Sequence, residues 1–230
     1  MSSTTLTPSV FDYLKLLKKN NNREWFTRHK QKYVEELNAM IQFADALLLE
    51  MKKHDNIENE SGKKSLFRIY RDTRFSNDKT PYKTHWSGNL KRATKKLRGS
   101  YYFHIEPGNC FIGGGFWGPE PQDLKRIRRE IEYDAGDLKK ILNSKAFKNT
   151  FGTLKGDQVQ TCPKGFDPNH PEIDLLRYKQ FILVKKITDK QVLQPDFIRE
   201  VNYAFKKMRP FLDYMSEVLT TDENGVSITN

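Results

Sequence analysis

The chain has 230 residues, 37% of them apolar and 12% aromatic, and its 40 Lys and Arg against 29 Asp and Glu give a net charge of +11. That composition excludes a disordered chain and supplies enough apolar residues for a sizeable core. No apolar run exceeds a handful of residues, as in ALLL at 46–49 and FILV at 181–184, which excludes a spanning helix.

The N-terminal stretch has no basic region followed by an apolar segment and a cleavage site, so no secretory signal is expected. Thr7 followed by Pro8 fits a helix N-cap, and Phe11, Leu14 and Leu17 then mark one face. A long helix is expected from about Asn22 to Lys53. Tyr33, Leu37, Met40, Ile41, Ala44, Leu47, Leu48 and Met51 recur there at spacings of three and four. A polar connection, HDNIENESGKK, follows.

From Ser65 the period changes to two. LFRIYR puts Phe67, Ile69 and Arg71 on one face. PYKTHW sets Tyr82, Thr84 and Trp86 against Lys83 and His85. YYFHIE sets Tyr101, Phe103 and Ile105 against Tyr102, His104 and Glu106, and a turn at 107–109 leads into CFIGGGFW. Helical spacing returns at Leu124, Ile127 and Ile131, then at Leu138, Ile141 and Leu142. CPKGFDPNHP reads as a rigid loop, FILVKKI at 181–187 as a strand, and the segment from Asp196 as a helix that Pro210 kinks or breaks. The fold expected is α+β, with a mainly antiparallel central sheet flanked by N-terminal and C-terminal helices. It forms a single domain over 1–230, ordered over about 8–219, with a loose tail over 221–230.

The charge is concentrated. Residues 61–100 hold 12 basic and 2 acidic side chains, while 1–60 are balanced and 101–230 carry one excess positive charge. A concentrated positive field attracts anions. Within it, KRATKKLR at 91–98 reads as a solvated loop or as an arm that touches phosphates. GGGFWG matches G-x-G-x-x-G at Gly113, Gly115 and Gly118, but a hairpin precedes it and Pro119 and Pro121 delay the helix. That context suits a strand approached closely by another backbone better than a dinucleotide site.

No HExxH, CxxC or GxSxG occurs, and the two isolated cysteines, Cys110 and Cys162, suit a reducing, cytoplasmic compartment. No metal site and no cofactor is expected. His85, His104 and Glu106 share the polar face of the sheet, where a histidine can carry a proton.

The stretch RIYRDTRFSNDKTPYKTHW, residues 68–86, interleaves five cations with two aspartates and five aromatic rings. One reading is structural: Arg71 points inward and takes Asp72 or Asp78 as its partner. The other counts charge. Arg68, Arg71, Arg74, Lys79 and Lys83 exceed the two aspartates by three, and such cations bind phosphate or carboxylate.

The stretch closely resembles the signature of an uncharacterised bacterial and fungal family, domain of unknown function 2461. NNREWF at 21–26, GSYYFHIEPG at 99–108, FIGGGFW at 111–117 and PKGFDPNHP at 163–171 fit in the same order, so the resemblance covers about residues 8–215. It implies a soluble, single-domain protein. It also places Arg71, Asp72, Arg74, Phe75, Asp78, Lys79, Tyr82 and Lys83 in the shared motif, and it carries over no activity.

Three functions follow. The first is a site for a phosphorylated or polyanionic ligand, held by Arg68, Arg71, Arg74, Lys79, Tyr82 and Lys83, with Asp72, Asp78, His85 and His104 as candidates for acid–base chemistry. The second is a nucleic-acid-binding module using 61–100. The third is a non-catalytic scaffold in which the Arg/Asp motif is structural. No membrane partner is expected.

Overall fold

The structure, a computed structural model, describes residues 5–222 and 226–228. Helix α1 (Ser9–Lys19) buries Val10, Phe11, Tyr13, Leu14 and Leu17 along one face. The cap read at Thr7 does not form. Pro8 occupies the N-cap with helical dihedrals, and the Thr7 hydroxyl pairs with that of Ser9 at 2.8 Å.

The long helix expected next is two helices, α2 (Arg23–Arg28) and α3 (Lys30–Lys52). Its start is where the sequence puts it, with the Asn22 side chain accepting from the Trp25 N–H at 2.9 Å. The break falls at His29, whose backbone leaves helical dihedrals (φ −106°, ψ 17°). Its Nδ1 lies 2.8 Å from the Trp25 carbonyl and its ring stacks on Trp25 at 4.0 Å. A side chain competing for a helical carbonyl favours that interruption. Helix α3 buries Met40, Phe43, Ala44, Leu47, Leu48 and Met51, together with Glu36, which accepts from Ser9 Oγ at 3.0 Å and pairs with Lys32 at 2.7 Å. A short helix, α4 (Gly62–Ser65), forms inside the segment read as a polar connection and is capped by Ser61.

Four strands make one antiparallel sheet in the order β1 (Trp86–Lys91), β2 (Ser100–Ile105), β3 (Cys110–Phe116) and β4 (Phe181–Ile187). Between β3 and β4 run α5 (Pro121–Tyr133), α6 (Gly136–Asn143), α7 (Lys145–Phe151) and α8 (Ile173–Leu176). After β4 come α9 (Asp189–Val192) and α10 (Phe197–Thr220), which gives the α+β class with helices at both ends.

The segment 66–71 is not a strand. It makes only isolated antiparallel bridges, Leu66 with Gly88 and Tyr70 with Tyr82. Pro81 has no N–H for a ladder, and the chain bends at Thr84 and His85. Phe67 therefore does not share the burial of Ile69: it is 48% exposed and Ile69 is 2% exposed. Nor does Pro210 break the last helix, because α10 runs on through it. Pro210 is exposed, so the carbonyl it leaves without a donor can be hydrated. The buried stripe of Val201, Ala204, Phe205, Met208, Phe211, Leu212 and Met215 spans both sides of it.

The chain divides into two compact units. The first comprises residues 1–90, 102–112 and 186–203. In it Phe43 meets Phe103 edge-on at 5.4 Å and stacks on Phe197 at 5.5 Å. The second comprises residues 91–101, 113–185 and 204–230. Its Tyr101 lies 5.0 Å from Phe205. The tail read as loose falls in part on 223–225 and 229–230, which lie outside the described residues, while Thr221 and Ser227 pair in an antiparallel bridge. No helix among the described residues is long and apolar enough to cross a membrane.

Candidate functional site

The alternation of β2 divides its side chains. Tyr101, Phe103 and Ile105 are buried, and Tyr102, His104 and Glu106 occupy the other face. There His104 uses both ring nitrogens. Nδ1 lies 3.0 Å from the Tyr102 hydroxyl and Nε2 lies 3.2 Å from Glu106 Oε2. Glu106 is ionised, its pKa lowered by Asn109 and His104, whose donors outweigh the opposing effect of burial. An ionised carboxylate accepts only, so Nε2 carries the proton and Nδ1 accepts from Tyr102. Glu106 is held further by Thr84 Oγ1 at 3.2 Å and Asn109 Nδ2 at 2.8 Å.

His85 lies against this group with its ring centroid 4.2 Å from that of His104. It has no hydrogen-bond partner among the described residues. Burial first, then His104, Lys83 and Arg71, push its pKa down to about 4, against the opposing pull of Glu106. His104 is also lowered, mainly by burial. Lys83 projects beside them with its ammonium 5.4 Å over the Phe67 ring, and burial and Arg68 lower its pKa.

The segment before His85 is held as a hairpin-like excursion. Arg71 N–H donates to Pro81 O at 2.9 Å and Lys83 N–H to Ile69 O at 2.7 Å. Asn21 clamps its returning arm twice: Nδ2 donates to Tyr82 O at 2.9 Å and Oδ1 accepts from Tyr82 N–H at 3.1 Å. The Tyr82 ring is buried and stacks on Phe26 at 4.0 Å. At the tip both aspartates already have arginines. Arg71, half-buried, donates to Asp78 and to the Thr80 hydroxyl. Arg74 forks onto Asp72 at 3.0 and 2.7 Å. The Thr80 N–H and side chain, with Arg71, hold Asp78 down to about 2. Lys79 donates to Thr73 O at 3.0 Å.

The family model described as conserved hypothetical protein (DUF2461) matches residues 9–214. The chain belongs to the DUF2461 family. No curated protein and no solved structure matches it.

In this DUF2461 protein the residues singled out from sequence separate into two groups. Lys83, His85 and His104 come together, with Arg71 close enough to act on His85 electrostatically. Asp72, Arg74, Asp78 and Lys79 close the loop tip instead. Arg68 is exposed and forms no ion pair among the described residues. The arm read at 91–98 is not wholly solvated. Arg92 is fully buried and binds Asp213 and Ser216, and Arg98 binds Asp123. An open cavity of about 600 Å³ lies at residues 131–136, 139–140, 143 and 170–172 and includes none of the sequence-derived candidates. Among the described residues no group of three His, Cys, Asp or Glu could hold a metal ion. The sequence singles out neither Asn21 nor the orienting roles of Tyr102 and Glu106. Their shared phase with His104 is the signal for the latter two.

Proposed function

We propose that the face formed by Lys83, His85, His104 and Glu106 binds a small phosphate-bearing anion and can move a proton on it. One observation carries this: the His85 imidazole has no hydrogen-bond partner among the described residues, although both ring nitrogens of the adjacent His104 are engaged. With its pKa near 4, His85 is neutral at neutral pH, and an anion bound beside it would raise that pKa toward the range in which an imidazole exchanges protons. His104 is the positioning residue, fixed by Tyr102 and Glu106.

The cations suited to the anion are Lys83 and Arg68, which have no carboxylate partner among the described residues. Arg71, Asp72, Arg74 and Asp78 act in this reading as the frame that presents Lys83 and His85. Two free thiols, Cys110 and Cys162, suit a reducing, cytoplasmic setting. Calorimetric titration with pyrophosphate at low salt tests the reading. Binding should weaken about tenfold in Lys83→Ala, the worth of one charge-assisted contact. Absence of binding to both phosphate and pyrophosphate would sink it, as would binding that Lys83→Ala leaves unchanged.

A further inference from the structure

We infer that the anion is carried by a nucleotide, whose base lies on an aromatic shelf beside the histidine pair. The inference rests on the anion-binding reading above and names its ligand class. Four rings succeed one another, from the half-exposed Phe67 to the buried His104. Phe67 lies 6.3 Å from Tyr102, Tyr102 lies 5.7 Å from Phe111, and Phe111 stacks on His104 at 4.7 Å and 15°. His85 continues the series at 4.2 Å from His104.

These rings come from the 66–71 segment, β2, β3 and the bend before β1, so one face collects them from separate parts of the chain. Phe67 is the outermost and remains 48% exposed, although Ile69, two residues on, is buried. Half an apolar ring left in water beside further aromatics suits a flat partner. Aromatic side chains on one face of an antiparallel sheet can provide such a surface for bases, and stacking there is sequence-tolerant and worth roughly 1–3 kcal/mol per base.

The charge lies where the phosphate would be. Lys83 stands over the Phe67 ring, and Arg68 is close enough to act on Lys83 electrostatically. An inorganic polyphosphate or a sugar phosphate would use Lys83 and Arg68 but leave the shelf bare. A mononucleotide uses both.

The test compares adenosine 5′-monophosphate, uridine 5′-monophosphate, ribose 5-phosphate and pyrophosphate by calorimetry on the full chain. Both nucleotides should bind about tenfold or more tighter than ribose 5-phosphate. Phe67→Ala should erase that margin and Phe67→Trp should keep it. The melting temperature of each variant verifies folding, which a half-exposed site tolerates. If ribose 5-phosphate binds as tightly as the nucleotides, the nucleotide inference falls and the anion reading stands. If none of the four binds, both fall.

Discussion

The imidazoles of His85 and His104 lie 4.2 Å apart at a tilt of 32°, and of the two only His104 has hydrogen-bond partners among the described residues, Tyr102 and Glu106 at its two ring nitrogens. Two rings at that distance disfavour a second positive charge, and burial disfavours the first. The groups facing His85 are His104 from β2, Glu106 just after it, and Lys83 and Arg71 from the segment before β1, and only Glu106 favours its charged form. Unfolded, His85 takes up its proton near pH 6.5; folded, it does so only near 4. Across that window the unfolded chain holds more protons, so the His85 contribution to stability falls as pH drops from about 6.5 to about 4 and levels off below, where the lowered carboxylates of Asp78 and Glu106 take over the decline. The expected outcome is a melting temperature that declines through this range in the wild type and declines less in His85→Gln. An imidazole NMR titration in which His85 changes charge near pH 6.5 would contradict the burial argument.

Glu106→Gln separates geometry from charge. The amide oxygen can still accept from His104 Nε2, but the negative charge that raises both histidines is gone. Both should therefore titrate lower than in the wild type. Removing a like charge from an anion's surroundings should also tighten pyrophosphate binding, by up to about tenfold. Histidines that titrate higher in the variant would show that Glu106 does not act through its charge.

Arg71 and Arg68 lie three residues apart and differ in what they touch. Arg71 joins Asp78 and Thr80 across the loop, and Arg68 has no such partner. Arg71→Ala should lower the melting temperature by roughly 2–4 °C, the shift that a modest loss gives a chain of this size. Arg68→Ala should leave the melting temperature within about 1 °C and weaken anion binding instead. Equal thermal losses in the two variants would mean that the frame and the ligand cations have been misassigned.

The halves of this pattern differ in how readable they are. Tyr101, Phe103 and Ile105 alternate with Tyr102, His104 and Glu106 because successive side chains of an extended strand point to opposite faces. The same alternation at 66–71 misleads, because pairing also depends on the partner segment, where Pro81 lacks a donor and the backbone bends at Thr84 and His85. The inward phase of Arg71 is readable, and it is half-buried. Its choice of Asp78 over the adjacent Asp72 is not, since a loop seven residues long must close first. The burial of Glu36 is hidden for the same reason: its partner Ser9 lies 27 residues away. The Asn21 clamp on Tyr82 spans 61 residues, and nothing local in NNN announces it.

Arg92 tests the arm reading directly. Its side chain is fully buried, bound to Asp213 and Ser216, whereas Lys95 and Lys96 in the same run are exposed. Arg92→Ala should cost about 2–3 kcal/mol in urea denaturation, through lost charge-assisted hydrogen bonds and the void left behind. Lys95→Ala and Lys96→Ala should each stay within about 0.5 kcal/mol. A stable Arg92→Ala variant would contradict the structural role of this arginine.

Gly115 and Gly108 set conformational strain against close approach. Both have positive φ, +116° and +76°. At Gly108, in the turn between β2 and β3, an added Cβ would meet open space. At Gly115 it would overlap the Phe181 carbonyl on β4, the neighbouring strand, and a backbone oxygen within a sheet cannot swing aside as a side chain end can. Gly108→Ala therefore costs only left-handed strain, about 1–2 kcal/mol. Gly115→Ala adds the displacement of β4 and should lose about 3 kcal/mol or more. Urea midpoints of the two variants decide it. If Gly115→Ala costs no more than Gly108→Ala, then the close approach of β4 does not govern this position. Gly115 would then owe its place to φ alone.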